Sequence, residues 1–348
     1  MAIDPHVHCR DGTQSYKETI AHALSVAERV GLSGIFDMPN TSPPITSKKL
    51  IEERLALAEA ARSQVFYGLY AGLTSNPAQI REVVRAWREH FPRVVGLKMF
   101  AGHSVGDLGI IRGEAQAVIY QTLAECGFGG VLAVHCEKEG ALSPEVWNPA
   151  SPRSHSYARP LEAEVASVRE QIALARRYQF KGNLHVAHVS VPASVELIEE
   201  ARQEGEIRVS CGLTPHHCLL SLACVPDSQS GLIFKVNPPL RAEGHRAKMM
   251  QLLGEGKIDW IETDHAPHTL KEKLEPPHMS GFPGLPFYPH FIEALRDKGF
   301  TEGQITSLTH DNICRVFGMN LPNRNKTPDR RLHMEYEVDA YRAERTRD

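Results

Sequence analysis

Apolar residues along this chain fall into short runs separated by longer amphipathic stretches. The runs are "AIDPHVH", "GIFDMPN", "VFYGLYAGL", "VVGLKMF", "VLAVHCE", "LHVAHVS", "IRVSCGLTP" and "WIETDHAPH". Between them, residues 16–30, 47–62, 78–89, 114–126, 161–178, 193–204 and 242–253 carry apolar positions at helical spacing, and 286–298 and 302–317 form a last helical region. A run followed by a helix, repeated along the chain, predicts parallel strands joined by helical crossovers. Parallel strands are covered on both faces and read as near-continuous apolar runs, as these do. Eight such units fit the α/β class as a closed (β/α)8 TIM barrel better than an open doubly wound sheet.

Local punctuation agrees. Thr46-Ser47 can cap the helix that begins near Lys48, and Ser75-Asn76-Pro77 can open the next with proline in its first turn. Gly31 and Gly205 stand where helices should stop. The tail beyond Asn323 is charged and is read as lying outside the barrel. The expected organisation is one catalytic barrel domain over 1–323 and a C-terminal extension over 324–348.

Composition narrows the function classes. Hydrophobic residues are 42% and charged residues 23%, an ordinary globular balance. A net charge of −3 offers no basic footprint, so no nucleic-acid partner is expected. No apolar run is long enough to span a bilayer, and the start lacks the basic and apolar regions of a signal peptide. Seven cysteines without a C-x-x-C pair fit reduced thiols, hence a cytoplasmic protein, and Cys9, Cys136 and Cys211 read as small buried hydrophobes.

Eighteen histidines change the picture. In a (β/α)8 barrel, reactive groups project from the C-terminal ends of the strands. There the chain offers His6 and His8, two apart and on one face of a strand, with Arg10 behind them; then Lys98, His135, His188 and Asp264. Imidazoles and a carboxylate suit a borderline divalent ion such as zinc. Six groups are too many for one open zinc site and suit two metals roughly 3.5–4 Å apart. An ammonium cannot bind a cation. A buried lysine, however, has a lowered pKa, and its neutral amine can add CO2 to become a bridging carbamate. The remaining polar residues have plainer readings. Asp37 is a structural carboxylate at a strand end, His103 is solvent-exposed, and His216-His217 stand behind an already full ligand set.

Taken together, "HVHCRDG", "MPNT", "GLKMF", "VHCE", "HVAHVS", "TPHH", "NPPLR", "DHAPHT" and "GFPGLP", in this order, resemble the motifs of dihydroorotases of the amidohydrolase superfamily, from the first strand to about Phe317. H-x-H alone marks only the superfamily; the last three motifs are much narrower. The resemblance implies a binuclear centre: two Zn2+ per chain, bridged by carboxylated Lys98 and hydroxide. His6, His8 and Asp264 would hold one ion, and His135 and His188 the other. It implies that Arg10 and Asn40, helped by His268, hold a substrate carboxylate. Asn237 and the backbone near Pro283 and Gly284 would meet the pyrimidine ring. Ser104 and Val105 would belong to a lid loop, and Asp264 would shuttle the proton. A guanidinium beside an amide is independently a sound carboxylate clamp.

The implied reaction is the reversible cyclisation of N-carbamoyl-L-aspartate to dihydroorotate and water, in pyrimidine biosynthesis. A homodimer is the expected assembly, with association with aspartate transcarbamoylase as a further partner. Many relatives add a small β-sandwich; with five residues before His6 and a short tail, little or none is expected here. Two other functions compete with this reading. A sister cyclic amidase (hydantoinase, dihydropyrimidinase or allantoinase) would use the same ligands, and an inactive scaffold would have lost them.

Overall fold

The structure, a computed structural model, describes residues 2–103, 108–322, 328–329 and 331–345. Eight parallel strands run in chain order around a barrel: β1 Ile3–Val7, β2 Gly34–Asp37, β3 Phe66–Gly72, β4 Val94–Ala101, β5 Val131–Cys136, β6 Asn183–Val186, β7 Arg208–Leu213 and β8 Trp260–Ile261. The ring closes through Val7 and His265, where the His8 amide donates to the His265 carbonyl at 2.8 Å.

Between and after the strands lie α1 Ile20–Arg29, α2 Lys48–Ala60, α3 Pro77–His90, α4 Gly113–Glu125, α5 Leu161–Arg177, α6 Pro192–Glu204, α7 Glu243–Gly254 and α8 Tyr288–Asp297. Their ends follow the local chemistry. Ser47 accepts from the Leu50 amide, Asn76 caps α3 with Pro77 in its first turn, and Gly205 adopts the left-handed conformation that ends α6. Two helical readings change. The first helix starts at Ile20 rather than 16, because Thr19 takes the cap, and 302–317 is interrupted by a wider turn over Ser307–Asp311.

The pleat of β4 and β5 shows how the site is aimed. Lys98 pairs with Ala133 and Phe100 with His135, so alternate residues share the barrel interior while Leu97, Met99, Leu132 and Val134 pack outward under the helices. The N-terminal end of the barrel is filled by Phe36, Tyr70, Val131 and Trp260, with Ile313, Phe317 and Leu321 plugging it from below. That leaves the C-terminal end open for polar groups.

Strand β8 is shorter than the apolar run implies. Its pleat stops at Ile261, and Asp264 takes φ 49°, so "TDHAPH" leaves the sheet as an irregular segment. Within the extension, Leu332 is buried and Tyr341 stacks on Phe287 at 4.0 Å, while Glu335 pairs with Arg29 and His22 of α1. No helix among the described residues is long and apolar enough to cross a membrane.

Candidate active site

A cavity opens at the C-terminal ends of the strands, lined among others by His6, His8, Arg10, Asn40, His135, His188, Asn237 and Asp264. His6 Nε2 and His8 Nε2 stand 3.4 and 2.9 Å from Asp264 Oδ1. Ligand atoms of these three residues all lie within 4.8 Å of one another, a spacing that can hold a metal ion. A second pair faces them: His135 Nδ1 is 3.2 Å from His188 Nε2.

Lys98 rises from β4 with no exposed surface, and its Nζ has no hydrogen-bond partner, only the Phe100 ring at 5.0 Å. Burial lowers its pKa to about 8, although Glu262 and Asp264 pull it back up. The imidazoles titrate lower too: burial takes His6 down to about 4 and His8 and His188 well below the usual range. They are therefore neutral at pH 7, the form that coordinates a metal. Burial raises the pKa of Asp264, which suits a carboxylate that must carry a proton.

Arg10 is 1% exposed and enters the cavity from a residue with φ 49°, three positions beyond the end of β1. The strand pleat therefore does not place it beside His6 and His8; a left-handed turn does. One guanidinium nitrogen, Nη2, contacts His268 Nε2 at 3.3 Å, while Nε and Nη1 have no partner. Asn40 sits across from it and offers Oδ1 to His8 Nδ1 at 2.8 Å.

The remaining expectations divide. Asn237 lines the cavity and takes His155 Nε2 on its Oδ1 at 2.9 Å. Pro283 and Gly284 do not line it: the Gly284 amide donates instead to His265 Nδ1, and Ser280 and Gly281 line the cavity. Ser104 and Val105, the lid positions, lie outside the described residues. Asp37 accepts from the Cys9 amide, Arg54 and Tyr67 and is structural. His217 is spent on Thr214 and the Pro238 carbonyl, and His103 is exposed.

Two acids escaped the sequence reading. Glu137 Oε2 lies 2.9 Å from His135 Nε2 and is itself clamped by Arg159, which, with His135, outweighs the cost of burial and holds its pKa far down. Glu262 lies under His6 and His188. For Glu137 the signal was present, since H-x-E in "HCE" puts it two residues from a ligand on one face of an extended chain; Glu262 lies past Ile261, where the pleat of β8 stops, so the same rule does not place it.

No protein-family model matches the chain. Curated relatives do. The dihydroorotase of Methanosphaera stadtmanae is 30% identical over 334 residues, covering 93% of this chain and 71% of that protein. The dihydroorotase of Aeropyrum pernix is 33% identical over 321 residues, covering 91% and 69%. The chain belongs to the dihydroorotase family. Solved structures share the fold of this family member. The L-hydantoinase of Arthrobacter aurescens superimposes with a TM-score of 0.80 at 24% identity, over 91% of this chain and 70% of that one. The dihydroorotase of Saccharomyces cerevisiae, in complex with 5-fluoroorotic acid, gives 0.74 at 17% over 92% and 84%. These likenesses establish the barrel for the family member described here; its substrate is a matter for its own cavity.

Proposed function

We propose that this chain is a dihydroorotase, a hydrolase of a cyclic amide that interconverts N-carbamoyl-L-aspartate and dihydroorotate. The observation that carries the reading is Arg10. A buried guanidinium with two unpartnered nitrogens at the wall of the cavity calls for an anionic partner, because an unpaired buried charge is costly. Dihydroorotate brings a carboxylate; the neutral rings of hydantoin and dihydrouracil do not.

A binuclear metal centre fits the residues present. The donor set is nitrogen and oxygen, the imidazoles are neutral, and Lys98 Nζ is buried with no hydrogen-bond partner, close enough to lower the pKa of histidines in both pairs by its charge. His6, His8 and Asp264 would hold one Zn2+, His135 and His188 the other, with carboxylated Lys98 shared between them. When bound, such ions supply Lewis acidity toward the ring carbonyl and toward water. The chain's own groups do the rest. Arg10 and Asn40 bind the carboxylate and fix the ring, while Asn237, Ser280 and Gly281 face its far side. His268 holds one arm of the Arg10 fork. Asp264, with its raised pKa, takes a proton during hydrolysis and returns it to the leaving ring nitrogen. Ring closure runs these steps in reverse.

The same reading places the enzyme in pyrimidine biosynthesis in the cytoplasm, as one barrel domain over 1–323 with an extension over 324–348, forming a homodimer that can associate with aspartate transcarbamoylase. The deciding experiment follows dihydroorotate hydrolysis by ultraviolet absorbance while counting bound zinc on the same sample. Turnover with near two zinc ions per chain, and none with hydantoin, is expected. Full metal without dihydroorotate turnover would assign the chain to a sister cyclic amidase.

A further inference from the structure

Glu262 is a buried acid inside the barrel that the proposed reaction does not use; its side chain is 1% exposed. Its two oxygens face opposite ways. Oε2 takes the lower groups: His185 Nε2 at 3.0 Å and the Trp260 indole N–H at 3.1 Å. Oε1 takes the upper ones: the His188 backbone N–H donates to it at 2.5 Å, and His6 Nδ1 stands 3.5 Å away. One carboxylate therefore touches a member of each histidine pair. Room for it is made by Gly212 on β7, where a Cβ would fall 2.5 Å from the Glu262 carboxyl carbon.

The upper contacts have consequences for both ligands. His188 holds φ 42°, a left-handed backbone that a non-glycine residue adopts at a cost. The bond from its N–H to Glu262 offsets that cost and turns the imidazole into the cavity. At His6, Nδ1 makes no hydrogen bond within the chain, and the Glu262 carboxylate 3.5 Å away favours a proton on that nitrogen by its charge, which leaves the Nε2 lone pair facing Asp264.

We propose that Glu262 is a positioning residue for the metal centre, setting the tautomer of His6 and the backbone of His188 so that the two histidine pairs converge. This rests on the metal-centre reading above. The test is calorimetric titration of Zn2+ into chelator-stripped full-length protein, comparing wild type with Glu262→Gln, Gly212→Ala and Trp260→Phe. Glutamine keeps the shape but replaces one acceptor oxygen with a donor, which meets a fixed N–H in either orientation, the His188 amide above or the Trp260 indole below, and so pushes the whole side chain out of place. Alanine at 212 pushes an unaltered Glu262 aside. Both should bind Zn2+ roughly 10–100-fold more weakly. Trp260→Phe removes only a lower donor and should bind close to wild type.

Wild-type affinity in Glu262→Gln would overturn the proposal, and so would an equal loss in Trp260→Phe, since that would make the effect one of barrel packing. If Glu262→Gln does not fold, Gly212→Ala decides alone, and wild-type affinity there overturns the proposal. Zinc binding by wild type without dihydroorotate turnover would sink the substrate assignment and leave this test standing. A wild type that takes up no zinc would sink both.

Discussion

His135 Nδ1 faces His188 Nε2 at 3.2 Å, from the ends of two neighbouring strands. The second nitrogen of His135 is tied to Glu137, and the second nitrogen of His188 has no partner. Two neutral imidazoles so arranged share one proton at best, and a divalent cation satisfies both. Zn2+ at one hundred times its dissociation constant should then stabilise the fold by about 2.7 kcal/mol. Thermal unfolding with and without chelator measures this increment, and His188→Ala should lose much of it. No change on chelation would speak against a resident metal.

Lys98 is expected to carry one added CO2. Its lowered pKa leaves part of the amine neutral near pH 7, and neutral amine is the reactive form. Lys98→Ala should lose more than about 100-fold in kcat, with partial recovery on adding a short-chain carboxylate that takes the vacated space. Lys98→Arg should not recover, because a guanidinium is never neutral. Gentle intact-mass analysis that finds unmodified chain at full activity would rule the modification out.

For Asp264, the expected loss is in kcat rather than KM. Asp264→Asn keeps the shape but cannot accept a proton, and general acid–base groups contribute roughly 100- to 10,000-fold. Steady-state kinetics in both reaction directions should show the same loss.

Arg10 should discriminate substrates. Arg10→Leu removes a charge-assisted contact of about 2 kcal/mol, roughly 30-fold in kcat/KM for dihydroorotate, carried mainly by KM. Any residual hydantoin turnover should be unaffected, and equal losses on both substrates would place Arg10 in the scaffold.

Away from the cavity, His22 links α1 to the extension. Its hydrogen bond to Glu18, with a further one to Glu335, raises its pKa to about 9 despite partial burial. A raised histidine stabilises the fold fully below its unfolded pKa near 6.5, and that contribution is lost as pH rises through about 9. Solvent screening keeps it modest, since the His22 side chain is 39% exposed. Melting temperature should therefore fall between pH 6.5 and 9 in wild type, and less steeply in His22→Ala.

The hydrophobic pattern determined the barrel by itself, because strands buried on both faces must be apolar and each must be followed by a covering helix. It also located His6, His8, Lys98, His135, His188 and Asp264, because a polar residue ending an apolar strand has one place to point. The pleat could equally have delivered Glu137, two residues from His135, but not Glu262, which lies past the end of β8. Other features were decided by the folded chain alone. Arg10 reaches the cavity through a left-handed turn, Ser280 and Gly281 replace Pro283 and Gly284 at its wall, and Tyr341 returns from the charged tail to stack on Phe287. Periodicity describes what repeats along a strand or helix. These positions are set where the chain leaves its elements, by contacts between residues far apart in sequence that form only once the barrel has closed.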